Sequence, residues 1–158
     1  MRVTVIGADR PLGASLASGL REGFEVAAIG AGEVADIEGY GQVDLLERTA
    51  MDAALADAEA VVYTAAFDPE TVDEQTLLDE AARGVYVALT AAVEVGVRRM
   101  VLVSRLDLVR DYPEEYVVNA QWNPLPRAEA VSLAPMMAEM VGREIARMGK
   151  VEVCCLRL

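Results

Sequence analysis

The chain has 158 residues, of which 54% are hydrophobic and 25% are charged, a composition typical of one folded globular domain. Its formal net charge is −12 and Lys150 is its only lysine, which argues against binding of a nucleic-acid backbone. Because histidine is absent, Ser-His-Asp and Cys-His mechanisms are excluded, and the adjacent Cys154 and Cys155 predict neither a disulfide nor a metal site. The sequence shows no apolar stretch of membrane-spanning length and no basic leader pattern, so we expect a cytoplasmic protein.

Strands and helices are predicted to alternate along the chain. In order, they are strand 2–7, helix 11–22, strand 24–29, a glycine-rich stretch 30–41, helix 45–58, strand 60–66, helix 72–95, strand 99–104, a loop 111–126, helix 129–148 and strand 151–156. Short, continuously apolar strands separated by helices are typical of a parallel sheet covered on both faces. With right-handed crossovers, the pattern predicts an α/β fold with a doubly wound parallel sheet, a three-layer α-β-α Rossmann domain over residues 1–158.

The first strand leads directly into a glycine-containing turn, Gly7-Ala8-Asp9-Arg10-Pro11-Leu12-Gly13. Pro11 suits the first turn of the helix that follows, where its missing N–H costs nothing. Such a turn places backbone N–H groups and the positive end of a helix dipole beneath a pyrophosphate. A tight turn that binds no ligand uses glycine in the same way, so both interpretations remain open at this point.

Further motifs follow at regular spacing: an Asp-Leu pair at 44–45, Tyr-Thr-Ala-Ala at 63–66, and a passage from 91 to 104 that runs AAVEVGVRRMVLVS. With Gly7 and Gly13, they resemble the short-chain dehydrogenase/reductase superfamily, particularly its extended NAD-dependent epimerase/dehydratase branch. The resemblance implies an NAD(P)-binding domain, with a C-terminal substrate domain that is absent or truncated. It implies these cofactor-binding residues: Gly7, Arg10, Leu12, Gly13, Asp44, Leu45, Ala65, Ala66 and Ser104.

Two departures from the family pattern concern the choice of cofactor. Arg10 replaces the middle glycine of the loop, as in NADPH-preferring members whose arginine contacts the 2′-phosphate. A solvated surface arginine is the alternative interpretation. Gly30 stands at the end of the second strand, where NAD-selective members carry an aspartate. We therefore expect NAD or NADP as cofactor, with NADP slightly favoured, although Glu33 is close in sequence.

The catalytic pattern of the family is degenerate here. The resemblance implies a tyrosine and a lysine four residues apart on one helix, together with a serine, and the matching positions hold Val131, Pro135 and Leu106. We therefore predict no catalytic residue by resemblance. Tyr112 and Tyr116, in the loop where a substrate pocket is expected, are candidates for a rearranged site, against ordinary loop packing.

Three functions remain open after this reading. The first is a dinucleotide-binding sensor or regulatory subunit that lacks the usual hydride-transfer chemistry, a pseudoenzyme. The second is an active oxidoreductase or sugar-nucleotide epimerase/dehydratase with a rearranged site, and the third is an interaction module that binds no nucleotide. The resemblance also implies a homodimer through helix 129–148, which carries a broad apolar surface: Met136, Met137, Met140, Val141, Ile145 and Met148.

Overall fold

A computed structural model of the chain describes residues 1–34 and 36–158. Within these residues the strands are β1 (Arg2–Ile6), β2 (Glu25–Gly30), β3 (Tyr40–Gln42), β4 (Ala60–Tyr63), β5 (Arg99–Ser104) and β6 (Glu152–Arg157). The α-helices are α1 (Pro11–Leu20), α2 (Arg48–Leu55), α3 (Glu74–Asp79), α4 (Val85–Val95) and α5 (Ala130–Ala146). Short 3₁₀ turns at Pro69–Thr71 and Leu106–Val109 follow β4 and β5.

The described strands form one parallel sheet of six strands in the order β3-β2-β1-β4-β5-β6. This order confirms the predicted doubly wound Rossmann fold. From β1 to β3 the strands are added toward one edge of the sheet, and from β4 to β6 they are added toward the other edge. The order therefore reverses between β1 and β4, and ligands of such sheets bind beside that point, at the carboxyl ends of the strands. The turn 7–13 lies there, because it follows β1.

The helices cover the two faces of the sheet unequally. On one face, α1 packs the small residues Gly13 and Ala17 close to β1 and β2. Right-handed crossovers place α2, α4 and α5 on the other face, where these helices contact one another and bury the larger core cluster. The short, β-branched strands thus supply apolar side chains to both layers, as the sequence predicts.

The helix predicted at 72–95 is instead two α-helices joined by a π-helical turn at Glu80–Gly84. The Tyr63 hydroxyl donates a hydrogen bond of 2.8 Å to the Glu80 carbonyl, which takes this carbonyl out of the regular helical pattern. A Cβ on Gly84 would lie 2.6 Å from the same hydroxyl oxygen, so only glycine fits there. Insertions of this kind often occur at functional sites.

The glycine-rich stretch at 30–41 contains the start of β3, an element that the sequence pattern did not resolve. At the other end of the sheet, neighbouring residues of a strand point to opposite faces, so the sequence predicts core packing for one of Cys154 and Cys155, and this prediction is wrong because both are exposed. The reason is that β6 is the last strand of the sheet. Among the helices of residues 1–34 and 36–158, none has the length and apolar character needed to cross a membrane.

Candidate functional site

The turn after β1 is built around two glycines that leave no room for a side chain. Gly7 has a φ of +90°, and a Cβ on it would lie 2.7 Å from the backbone nitrogen of Ala65. A Cβ on Gly13 would lie 2.1 Å from the carbonyl oxygen of Gly7. The turn therefore packs directly against the end of β4 and the start of α1, with the first turn of α1 at the carboxyl edge of the sheet.

The N-terminus of α1 already accepts an anionic group from the chain itself. The Leu12 N–H donates a 3.2 Å hydrogen bond to Oδ2 of Asp68, a half-buried residue just beyond β4. The residue that precedes α1, Arg10, supplies no side-chain cap. A negative charge is favourable at this end of a helix, so the position suits an anion such as a pyrophosphate.

Arg10 is buried, with 3% of its surface exposed, so the alternative interpretation of a solvated surface arginine is wrong. Its guanidinium forms an ion pair with the buried Glu80 and donates a hydrogen bond to the carbonyl of Ala65. Burial raises the pKa of Glu80, and the charge of Arg10 offsets part of that rise. Both terminal amino groups of Arg10 are thus engaged by the chain, which removes the reason for assigning this side chain to a 2′-phosphate.

The end of β2 is not free of acidic groups, contrary to the premise drawn from Gly30. The carboxylate of Asp9 accepts a 2.9 Å hydrogen bond from the Gly32 N–H. A Cβ on Gly30 would lie 1.9 Å from Oδ1 of Asp9, so this carboxylate fills the place of the missing side chain. Beside it lies a cavity of about 400 Å³, whose lining residues are Asp9, Arg10, Ala31, Gly32, Glu33, Thr71, Val72, Thr76 and Glu80.

The pair at 44–45 divides between the surface and the core. Asp44 is exposed, and its Oδ1 accepts a 2.9 Å hydrogen bond from the Leu46 N–H. Leu45 is 1% exposed and belongs to the larger core cluster. In this structure Leu45 supports the site from within the core, and the Asp44 carboxylate closes a local turn.

Ala65 and Ala66 end β4 beside the glycine turn, and both are buried. Ser104 lies at the end of β5 and takes part in a separate polar network. Its hydroxyl donates a 2.6 Å hydrogen bond to Glu139, whose two carboxylate oxygens also accept bonds of 2.8 and 2.7 Å from Arg157. The structure thus brings Gly7, Arg10, Gly13 and Ala65 together, whereas Ser104 links β5, α5 and β6.

The positions implied for catalysis carry no acid or base. Val131 and Pro135 lie in the first two turns of α5, and the ring of the buried Pro135 removes an N–H from the helix interior. Leu106, the third position, is 59% exposed. Lys150 follows the end of α5 and precedes β6, so it lies at the amino edge of the sheet, opposite the glycine turn.

Tyr112 and Tyr116 have packing partners in their own loop. Their ring centroids lie 4.5 and 5.6 Å from that of Trp122. The Tyr112 hydroxyl donates a 3.0 Å hydrogen bond to the carbonyl of Asn123. Residues 118–124 of this loop line a second cavity of about 1100 Å³ between the loop, α5 and β6, and none of the nine predicted cofactor-binding residues lines it.

A comparison with sequence models of protein families gives a match. Residues 29–157 match the sequence model of the 3-beta hydroxysteroid dehydrogenase/isomerase family. The match begins after the glycine turn, which therefore stands outside it. No curated protein sequence matches the chain significantly.

Solved structures resemble the chain over nearly its whole length. A short-chain dehydrogenase/reductase superfamily protein from Agrobacterium tumefaciens, crystallised with bound NAD, has a TM-score of 0.83 and 23% identity over 99% of this chain and 48% of its own. A mutated uronate dehydrogenase has a TM-score of 0.82 and 20% identity over 99% and 57%. A UDP-glucose 4-epimerase from Thermotoga maritima, crystallised with UDP-glucose, has a TM-score of 0.77 and 18% identity over 99% and 55%. The chain thus spans about half the length of these proteins, and at these identities the likeness shows the fold.

Proposed function

The chain belongs to the 3-beta hydroxysteroid dehydrogenase/isomerase family, and from this premise we propose that it binds a nicotinamide dinucleotide, NAD or NADP, at the carboxyl edge of the sheet. The observation that carries the proposal is the pair Gly7 and Gly13, where any Cβ would collide with backbone. Backbone without side chains at a helix N-terminus, beside the strand-order reversal, is the arrangement that admits a pyrophosphate. The predicted resemblance to short-chain dehydrogenases/reductases supports the same ligand.

The chain's own groups fit the pyrophosphate and one nucleoside of such a ligand. The Leu12 N–H, which already holds the Asp68 carboxylate, would bind a pyrophosphate oxygen once Asp68 moves aside. The cavity of about 400 Å³ beside β2 is of the size that small-molecule sites occupy and would take the nucleoside end. Ala65 and Ala66 would form the wall at the end of β4.

We further propose that the chain lacks the tyrosine–lysine chemistry and acts as a sensor or regulatory subunit. A bound nicotinamide dinucleotide supplies a hydride donor or acceptor. Hydride transfer to a carbonyl, or from an alcohol in the reverse direction, also needs a group that moves a proton, and Val131, Pro135 and Leu106 offer none. Binding without turnover is the behaviour that follows.

Two other functions have a specific observation in their favour. A rearranged oxidoreductase or sugar-nucleotide epimerase/dehydratase would use the larger cavity, next to the loop that carries Tyr112 and Tyr116. An interaction module without nucleotide would explain why Asp68 and Arg10 fill the site with the chain's own groups. We place the interaction module below dinucleotide binding because the turn lies at the strand-order reversal, where ligands of such sheets bind. We place the rearranged enzyme below the sensor because Val131, Pro135 and Leu106 offer no acid or base.

We also propose that the chain forms a homodimer through α5 and resides in the cytoplasm. Met140 on α5 and Met148, two residues beyond the end of this helix, are 47% and 55% exposed, and they leave an adaptable apolar surface there. Light scattering is expected to give twice the chain mass, and Met140→Glu is expected to return a monomer. A wild-type chain that is monomeric at high concentration would remove the homodimer from the proposal.

The test of the proposed function is calorimetric titration of the folded chain with NADH and with NADPH. Saturable binding of at least one dinucleotide, with no change in nicotinamide absorbance over hours in the presence of carbonyl compounds, is the expected result. Absence of binding at millimolar dinucleotide would overturn the proposal in favour of the interaction module. Turnover that disappears in Tyr112→Phe or Tyr116→Phe would instead establish a rearranged enzyme.

A further inference from the structure

The carboxylate of Asp9 stands at the end of β2, although Asp9 belongs to the turn after β1. One oxygen accepts the hydrogen bond from the Gly32 N–H, and the other lies against Gly30, in the space that any side chain there would need. In the part of the chain that the structure describes, this second oxygen, Oδ1, is buried and accepts no hydrogen bond. A buried carboxylate oxygen without a donor calls for a physical explanation, and a ligand hydroxyl is one.

The cavity beside this carboxylate carries an excess of negative charge. Asp9, Glu33 and Glu80 line it, and Arg10 is the one cation among its described lining residues. Because Arg10 is paired with Glu80, the charges of Asp9 and Glu33 remain unbalanced.

The edge of β3 lies next to the same carboxylate. The Tyr40 hydroxyl donates to the carbonyl of Gly32, the residue whose N–H binds Asp9. Burial raises the pKa of Tyr40 to about 12, and the negative charge of Asp9 contributes to that rise. Asp9 therefore acts electrostatically on the end of β2 and on its neighbour β3.

We infer that Asp9 selects a dinucleotide with a free ribose 2′-hydroxyl, so that the site favours NAD over NADP. The inference rests on the proposed dinucleotide site. A hydroxyl can donate to a carboxylate, whereas a 2′-phosphate would bring up to two further negative charges against Asp9 and Glu33 in a partly desolvated cavity. The carboxylate that NAD-selective relatives carry at the end of the second strand is thus delivered from the preceding turn.

This inference reverses the preference for NADP that the sequence suggested. That preference depended on a free guanidinium at Arg10 and on an uncharged end of β2 at Gly30. The structure pairs the guanidinium with Glu80 and supplies the end of β2 with the carboxylate of Asp9.

The test is the ratio of the NADPH and NADH dissociation constants, measured by calorimetry on the whole chain. The wild-type chain is expected to bind NADH more tightly. Asp9→Asn keeps the shape and an acceptor for Gly32, and it is expected to shift the ratio toward NADPH by about tenfold, since it removes one nearby charge. Glu22→Gln removes the same charge from an exposed position outside the cavity and is expected to leave the ratio unchanged.

A relocated carboxylate tests the same idea without a change in net charge. Asp9→Gly alone is expected to lose the NADH preference, and the double variant Asp9→Gly/Gly30→Asp is expected to regain it, because Gly at position 9 vacates the space that a side chain at position 30 needs. A wild-type preference for NADPH, an unchanged ratio in Asp9→Asn, or no recovery in the double variant would each overturn the inference and leave dinucleotide binding standing. A folded wild-type chain that binds neither dinucleotide would overturn the proposed function itself.

Discussion

The carboxyl edge of the sheet has two halves, and they differ in how closely they match the pattern of the short-chain dehydrogenases/reductases that the chain resembles. On the side of β1, β2 and β4, the turn keeps its two side-chain-free positions, Gly7 and Gly13, and a helix N-terminus that holds an anion. On the side of β5 and α5, the positions implied for proton transfer are Val131 and Pro135. Binding to the first half depends on backbone geometry, whereas chemistry at the second depends on side chains. Under the proposed function, the first half would bind the dinucleotide, and the positions implied for proton transfer in the second half carry no acid or base.

The largest effect is expected from the buried ion pair that anchors the first half. Arg10→Ala or Glu80→Ala leaves one charge buried without its partner, so each is expected to lower the free energy of unfolding by about 3–5 kcal/mol. Urea denaturation measures this loss. The paired replacement Arg10→Met/Glu80→Leu removes both charges and is expected to cost much less than either single change.

The control for that prediction is Arg48→Ala, which breaks a partly exposed pair with Asp52 on the surface of α2. Such pairs contribute about 0.2–1 kcal/mol, so this variant is expected to stay close to the wild type. If Arg10→Ala lowered the free energy of unfolding no more than Arg48→Ala does, the ion pair between Arg10 and Glu80 would not stabilise the turn. The two halves of the edge would then not differ in how firmly they are held.

The second prediction compares the replacement of Gly13 by alanine with the same replacement at Gly19, another glycine of α1. Gly13→Ala forces a methyl group against the Gly7 carbonyl and is expected to cost about 1–3 kcal/mol of stability and at least tenfold in dinucleotide affinity. Gly19→Ala has open space around its Cβ and is expected to stabilise α1 by about 0.5–1 kcal/mol without changing affinity. Equal affinities in the two variants, measured by calorimetry, would show that the turn does not touch the ligand.

The fold and the glycine turn were predictable because they follow from short-range rules. Alternating apolar strands and helices fix a parallel sheet, and Gly7 and Gly13 stand at a strand-to-helix junction. The ion pair between Arg10 and Glu80 was not predictable, because it joins residues that only the fold brings together. The π turn that begins at Glu80 depends on the hydroxyl of Tyr63, which lies at the end of β4.

Sequence reasoning also missed Asp9 and Asp68, the two carboxylates that the structure adds to the site. Each lies near a motif residue in sequence, but its role depends on which distant backbone N–H its carboxylate binds in the folded chain. Asp9 reaches across to the end of β2, and Asp68 reaches back to the start of α1. The one sequence signal for these contacts was the presence of an acidic residue, Asp9, inside the glycine turn itself.

A smaller effect is expected at Asp68, which under the proposed function would compete with the pyrophosphate for the Leu12 N–H. Asp68→Asn removes a negative charge from the N-terminus of α1, so the affinity for NADH is expected to rise by about three- to fivefold. Added salt should reduce this gain, because screening weakens the repulsion that the wild type imposes. Glu70→Gln makes the same change of charge two residues away at an exposed position and is expected to leave the affinity unchanged. Unchanged affinity in Asp68→Asn would mean that no anion competes at Leu12.

The smallest effect distinguishes a helix cap from a ligand site. Asp73 precedes α3 and caps it through the Thr76 N–H, and this backbone hydrogen bond lowers the pKa of Asp73. A lowered pKa means that the cap contributes stability above about pH 4 and loses it as the pH falls through the folded-state pKa. Asp73→Asn keeps a capping oxygen without a titrating charge, so its stability is expected to fall less steeply in acid. The Asp73 carboxylate caps its own helix, α3, whereas the Asp68 carboxylate binds the N-terminus of a different helix, α1. NADH affinity should therefore be unchanged in Asp73→Asn. If the affinity rose as in Asp68→Asn, both effects would be due to the change in net charge.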